Sequence, residues 1–190
     1  MPTTTPTLLA VAYLIVRPLE RTDWFSKLVP PIIVSACDCL SPRMQDWTDT
    51  FESVTAAREA RDRLFQAEPD LRILGMGLPD ELASSFPTDP SRHEAVLFAR
   101  RQPLAPGGQL LGFEPLSVAD GAPGCSWLCN ALETHCADAL GIRPNGAGML
   151  DSLDEARRCC AEIEREEVGA EPGPWLPFAV VDYTDPAPRT

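Results

Sequence analysis

An α+β fold is what this sequence predicts: two similar strand–insert–helix–strand halves, their strands forming a mostly antiparallel or mixed sheet with helices packed on it. Three observations point there. Apolar runs of strand length alternate with segments of helical periodicity. The same order of elements occurs twice, at offsets drifting from 97 to 103 residues. A Pro- and Gly-rich stretch separates the two copies, so the chain reads as residues 1–78 (first half), 79–109 (connection) and 110–190 (second half) of one compact unit.

The first strand is expected over Leu8–Val16, where Val11, Tyr13, Ile15 and Val16 favour extended backbone and Pro18 marks the end. A short strand follows at Ile32–Ser35. Ser53 then caps a helix whose stripe is Val54, Ala57, Leu64 and Phe65, before a strand at Leu71–Gly77. A short helix or strand near Glu94–Arg100 interrupts the connection. In the second half a strand over Leu110–Phe113 precedes a helix from about Ser126 to Leu140, with Gly141 at the left-handed C-terminal position and Pro144 preventing continuation. Ser152 and Glu155 form a capping box for the last helix, whose stripe is Leu153, Ala156, Cys160 and Ile163. The final strand runs over Trp175–Tyr183, and Pro177 assigns it to an edge or a bulge. The hexapeptides Ser53–Arg58 and Ser152–Arg157, 99 residues apart, match between the halves, which fits an internal duplication or, alternatively, two helices that share a common way of starting.

Charge narrows the function. Lys+Arg is 16 against Asp+Glu 28, a net charge of −12 with pI near 4.5. Neutralising phosphates needs a basic face, so neither nucleic acid nor an anionic membrane is expected as partner. Residues 101–190 carry 14 acids and 6 arginines, net −8, against −4 for residues 1–100. The nine-residue run at Leu8–Val16 is too short to span a bilayer, and no Lys or Arg precedes it as in an export signal, so a cytoplasmic protein is expected. Lys27 is the only lysine beside fifteen arginines, a bias that suits a high-GC bacterial genome.

The chemical motifs are few. No G-x-x-x-x-G-K-[ST], G-x-G-x-x-G, G-x-S-x-G or H-E-x-x-H occurs. Seven cysteines are an odd number for a disulfide scaffold, and the expectation is reduced thiols filling the core. Cys37-x-Cys39, Cys125-x3-Cys129 and Cys159-Cys160 lack paired C-x2-C knuckles; neither metal nor cofactor is expected, with Cys125, Cys129 and His135 as the alternative ligand set. Thiol catalysis by Cys125 at a helix N-terminus, with His93 as base, is the enzymatic alternative, and a small-molecule site around Cys125 and His135 belongs with it.

The reading the sequence favours is a non-catalytic acidic protein, immunity- or inhibitor-like, that binds and neutralises or regulates a basic protein partner. Its general character is that of small acidic immunity proteins, an analogy of size and composition only. The contact face expected for it is the outer side of the third helix: Trp127, Asn130, Glu133, Thr134 and Asp138.

Overall fold

The computed structural model describes residues 6–37, 39–40, 50–86, 91–119, 121–129, 131–165, 168–171 and 173–184. The fold is α+β. Its strands are β1 (Leu8–Val16), β2 (Leu19–Glu20), β3 (Ile32–Ile33), β4 (Arg72–Pro79), β5 (Gln109–Ala119), β6 (Ala122–Ser126) and β7 (Trp175–Asp182). Its α-helices are α1 (Val54–Leu64), α2 (His93–Ala99), α3 (Leu132–Leu140) and α4 (Leu153–Ile163), and a 3-10 turn spans Asp80–Ser85. Five strands form one sheet in the order β1-β4-β7-β5-β6, every ladder antiparallel, while β2 and β3 pair as a separate arm. No helix among the described residues is long and apolar enough to cross a membrane.

β1 lies at an edge of the sheet yet is buried over most of its length. Two pieces of chain, at residue 51 and residues 102–104, cover its open side. Phe51 exchanges both backbone hydrogen bonds with Tyr13, Ala10 N–H donates to Gln102, and Leu104 N–H donates to Leu8. An uncovered row of donors and acceptors would invite pairing with another chain. The 3-10 turn and α2, both in the segment read from sequence as a connection, also pack on β1.

The helices α1 and α4 begin as the serines predict. Ser53 accepts the Ala56 N–H at 3.1 Å and Ser152 that of Glu155 at 3.2 Å, each satisfying an otherwise unpaired donor of a first turn. α1 packs on β1 and β4, and α4 on β7 and β5. The core divides accordingly. Val54, Ala57 and Ala60 join Tyr13, Ile15, Ile73, Val181 and Tyr183 in a small cluster. A larger one holds Leu14, Leu74, Met76, Leu116, Phe178 and Val180, with Ala156, Cys159 and Ile163 of α4.

Several details recur between the halves. β1 carries a register shift between Ala10 and Ala12, and β5 one between Leu110 and Gly112. Beyond the shift Ala12 pairs with Met76 and Tyr13 with Gly75; correspondingly Gly112 pairs with Val180 and Phe113 with Ala179. Tyr13 bridges to Phe51 just ahead of α1, and Phe113 bridges to Leu150 just ahead of α4. At the centre of the sheet β4 meets β7, so the two halves share one sheet.

Three expectations are corrected. β7 is central rather than an edge or bulged strand. Pro177 is tolerated because it lies opposite Pro115 and beyond the last β4 pair, Gly77–Ala179. Pro115 points its carbonyl away from β7, toward Trp127 N–H at 3.1 Å, so neither proline nitrogen faces the other strand. β5 runs through Glu114 and Pro115 to Ala119, past the end expected at Phe113. The helix expected from Ser126 starts only at Leu132: residues 122–126 form β6, and Ala131, at φ 55°, holds a left-handed conformation that a helix interior excludes. Gly141, at φ 70°, ends α3 as expected.

Candidate functional site

The polar centre of the fold is Glu114, a carboxylate inside the sheet, 1% exposed. Ser35 Oγ–H donates to its Oε1 and the Ala36 N–H to Oε2 at 3.0 Å, and the Ser126 hydroxyl also hydrogen-bonds to the carboxyl. Each serine also accepts a backbone N–H two residues on: Cys37 at 2.9 Å on Ser35, and Leu128 at 3.2 Å on Ser126. Burial pushes the Glu114 carboxyl above its usual range, and these hydrogen bonds only partly offset that. The carboxyl thus ties the loop after β3 to the turn after β6.

That tie brings together sulfurs distant in sequence. Cys37 Sγ and Cys129 Sγ are 3.4 Å apart, and Cys37, Cys39 and Cys129 place their sulfurs within 4.8 Å of one another. Cys37 is buried, Cys129 half-buried and Cys39 exposed, so the cluster opens to solvent on one side. The Cys129 thiol donating to the Cys37 sulfur lowers Cys37 to about 7 against burial and the Glu114 charge, and the Ser126 and Cys39 backbone amides help. Cys129, as donor, is raised. Cys125 is close enough for Cys37 and Cys39 to act on its charge.

The residues singled out from sequence lie as follows. Trp127 is 0% exposed, its N–H without a hydrogen-bond partner among the described residues, and Glu133 is also 0% exposed. The helical phase assigned to 126–140 pointed them outward; with Trp127 in a turn instead, both face inward. They present nothing to a partner. Asp138 is exposed and Thr134 half-buried on α3, while Asn130 lies outside the described residues. Cys125 sits in β6 rather than at a helix N-terminus. Burial and a hydrogen bond to Glu171 push its thiol up to about 12, the reverse of an activated nucleophile. His93 opens α2 against β1, at the sheet edge opposite β6. His135 does not join the sulfurs: its Nε2 lies 3.0 Å from Glu162 Oε1, across the α3–α4 contact. Of the alternative ligand set, Cys129 is in the cluster, Cys125 beside it and His135 apart.

A second surface was not foreseen. The β2–β3 arm carries Trp24, 63% exposed, and Ile32, 50% exposed. Trp24 stacks on Phe25, which is anchored in the core, at 3.7 Å between ring centroids. Ile32 also lines an open cleft of about 1190 Å³ with Arg17, Glu20, Glu68, Asp70 and Arg72. Arg17 pairs with Glu68 and Arg72 with Asp182, whereas Glu20 and Asp70 form no ion pair among the described residues. The adjacent Trp24-Phe25 in a stretch without helical or strand periodicity was the available signal for it.

No known protein family, no curated protein and no solved structure matches this chain.

Proposed function

We propose that this chain is a non-catalytic acidic binding protein, immunity- or inhibitor-like, that engages a basic protein through the β2–β3 arm and the adjoining cleft. The observation that carries it is an exposed Trp24 and Ile32 on one arm of a chain with net charge −12. Tryptophan is a favoured binding anchor, and Trp24 stands exposed on the same arm as Ile32. In the cleft Arg17 and Arg72 are matched by carboxylates while Glu20 and Asp70 remain available, which suits a Lys- or Arg-bearing segment. The high thiol pKa of Cys125 and its separation from His93 favour binding over thiol chemistry. The test is recovery of partners by the tagged chain beside the Trp24→Ser/Ile32→Asp variant. A basic protein held by the first and lost by the second supports the reading. Equal recovery by both removes the arm from it.

The two halves, in this reading, descend from one strand–insert–helix–strand unit, with residues 79–109 joining them. Support comes from the paired register shifts at 10/12 and 110/112, the bridges Tyr13–Phe51 and Phe113–Leu150, and the serine caps 99 residues apart.

A further inference from the structure

The geometry points to a thiolate site for a soft, zinc-like divalent cation, with Cys37, Cys39 and Cys129 as ligands. It rests on different residues from the arm and cleft and stands or falls separately. Three sulfurs within 4.8 Å of one another match what such an ion needs: at a Zn–S bond of about 2.3 Å, tetrahedral ligands lie roughly 3.8 Å apart. Cys37 and Cys129 are already 3.4 Å apart.

Both halves of the site are held before any ion arrives. Cys37 follows Ser35 and Ala36, and Cys129 follows Ser126, and all three of those residues bond to Glu114. The Cys129 N–H closes its turn on the Ser126 carbonyl at 2.9 Å, and the Leu40 N–H closes the other on Cys37 at 3.1 Å. Backbone amides of Cys39 and Ser126 point at the Cys37 sulfur, as donors that support a metal-bound thiolate. Cys39 is exposed and supplies the way in.

The balance is simple. Each ligand still carrying its proton releases it to solvent, so up to three protons leave as a divalent ion binds, and the site with three thiolates carries a net charge of −1. No electron is transferred and no other reactant is needed. The consequence for the fold is a clamp. The ion would join the loop after β3 to the turn after β6, 92 residues apart, and so brace the base of the β2–β3 arm.

The experiment uses the full chain, reduced and stripped with chelator, titrated with Co²⁺ and then Zn²⁺. One Co²⁺ per chain is expected, with near-ultraviolet thiolate-to-cobalt charge transfer and intense visible bands of tetrahedral coordination, both bleached by Zn²⁺. Cys39→Ser, at an exposed position, and Cys129→Ser should each weaken binding by more than the roughly 10–100-fold that loss of a supporting partner causes. Cys136→Ser, between α3 and α4, should leave it unchanged. Circular dichroism of each variant separates loss of ligand from loss of fold, and Cys39→Ser alone decides between the outcomes should Cys129→Ser unfold. Absence of the charge-transfer band, octahedral bands only, or equal affinity in Cys39→Ser overturns the proposal. So does a Cys37–Cys129 disulfide that persists under the reductant.

Discussion

Replacing Glu114 separates two effects that the buried carboxyl combines. In Glu114→Ala the Ala36 N–H and the hydroxyls of Ser35 and Ser126 lose their shared acceptor inside a packed site. Each stranded group costs about 1–3 kcal/mol. The hydroxyls can turn toward other acceptors and the N–H cannot, so the expected loss is about 3–5 kcal/mol, a large part of the roughly 5–15 kcal/mol that holds a domain together. Glu114→Gln keeps the shape and an acceptor, but it cannot titrate. In the unfolded chain Glu114 releases its proton near 4.5, whereas burial makes the folded chain hold it to higher pH. Between those two values the native state binds the extra proton, so wild-type stability falls as pH rises, by at most about 1.4 kcal/mol per pH unit. The contribution is constant below the unfolded value and above the folded one. Urea unfolding in reductant and chelator, followed by far-ultraviolet circular dichroism from about pH 4.5 to about pH 8, should show Glu114→Gln gaining on the wild type as pH increases. Parallel pH profiles for the two proteins would refute a burial-dominated carboxyl.

Four further outcomes follow from the same structure. Trp127→Ala, in the core, should cost about 3–5 kcal/mol in urea unfolding, while Trp24→Ala on the arm stays within about 0.5 kcal/mol. Gly112→Ala would set a Cβ 2.6 Å from the Leu150 carbonyl oxygen at φ +145°, and Gly107→Ala would meet nothing within 4 Å at φ +86°. The first should therefore lose roughly 2–4 kcal/mol by strain and clash, the second only about 1–2 kcal/mol, read from thermal melts. Ser53→Ala and Ser152→Ala should each cost about 1 kcal/mol, and the double variant the sum; strong non-additivity in urea titrations would contradict independent capping. In metal-free protein, iodoacetamide at neutral pH followed by peptide mass mapping should label exposed Cys39 before Cys125, whose thiol is pushed up to about 12. Preferential labelling of Cys125 would restore the thiol-catalysis alternative.

Much of the framework was legible in the sequence because it is set locally. β1 and β7 appear as continuous apolar runs, and α1 and α4 are announced by Ser53 and Ser152. What was missed depends on partners far along the chain. Glu114 and Pro115 read as the end of a strand. The carboxyl is accommodated by donors near residues 35 and 126, and the proline by its position in the ladder. The spacing of Cys125, Leu128, Cys129 and Leu132 mimics a helical stripe. Ser126 pairs with Leu116 of β5 and the Trp127 N–H donates to the Pro115 carbonyl instead, and the stripe dissolves into a strand, a turn and a later helix. Misphasing that helix also placed Trp127 and Glu133 on the surface. The sulfur cluster joins positions 37 and 129, a contact that no local spacing encodes.

The binding claim is tested most directly by association kinetics with a basic protein recovered on the tagged chain. For the wild type, the on-rate should fall steeply with ionic strength, because screening removes the attraction of a chain with net charge −12. Trp24→Ser/Ile32→Asp should bind at least tenfold more weakly, chiefly through faster dissociation. An on-rate indifferent to salt, together with unchanged affinity in that variant, would contradict the account.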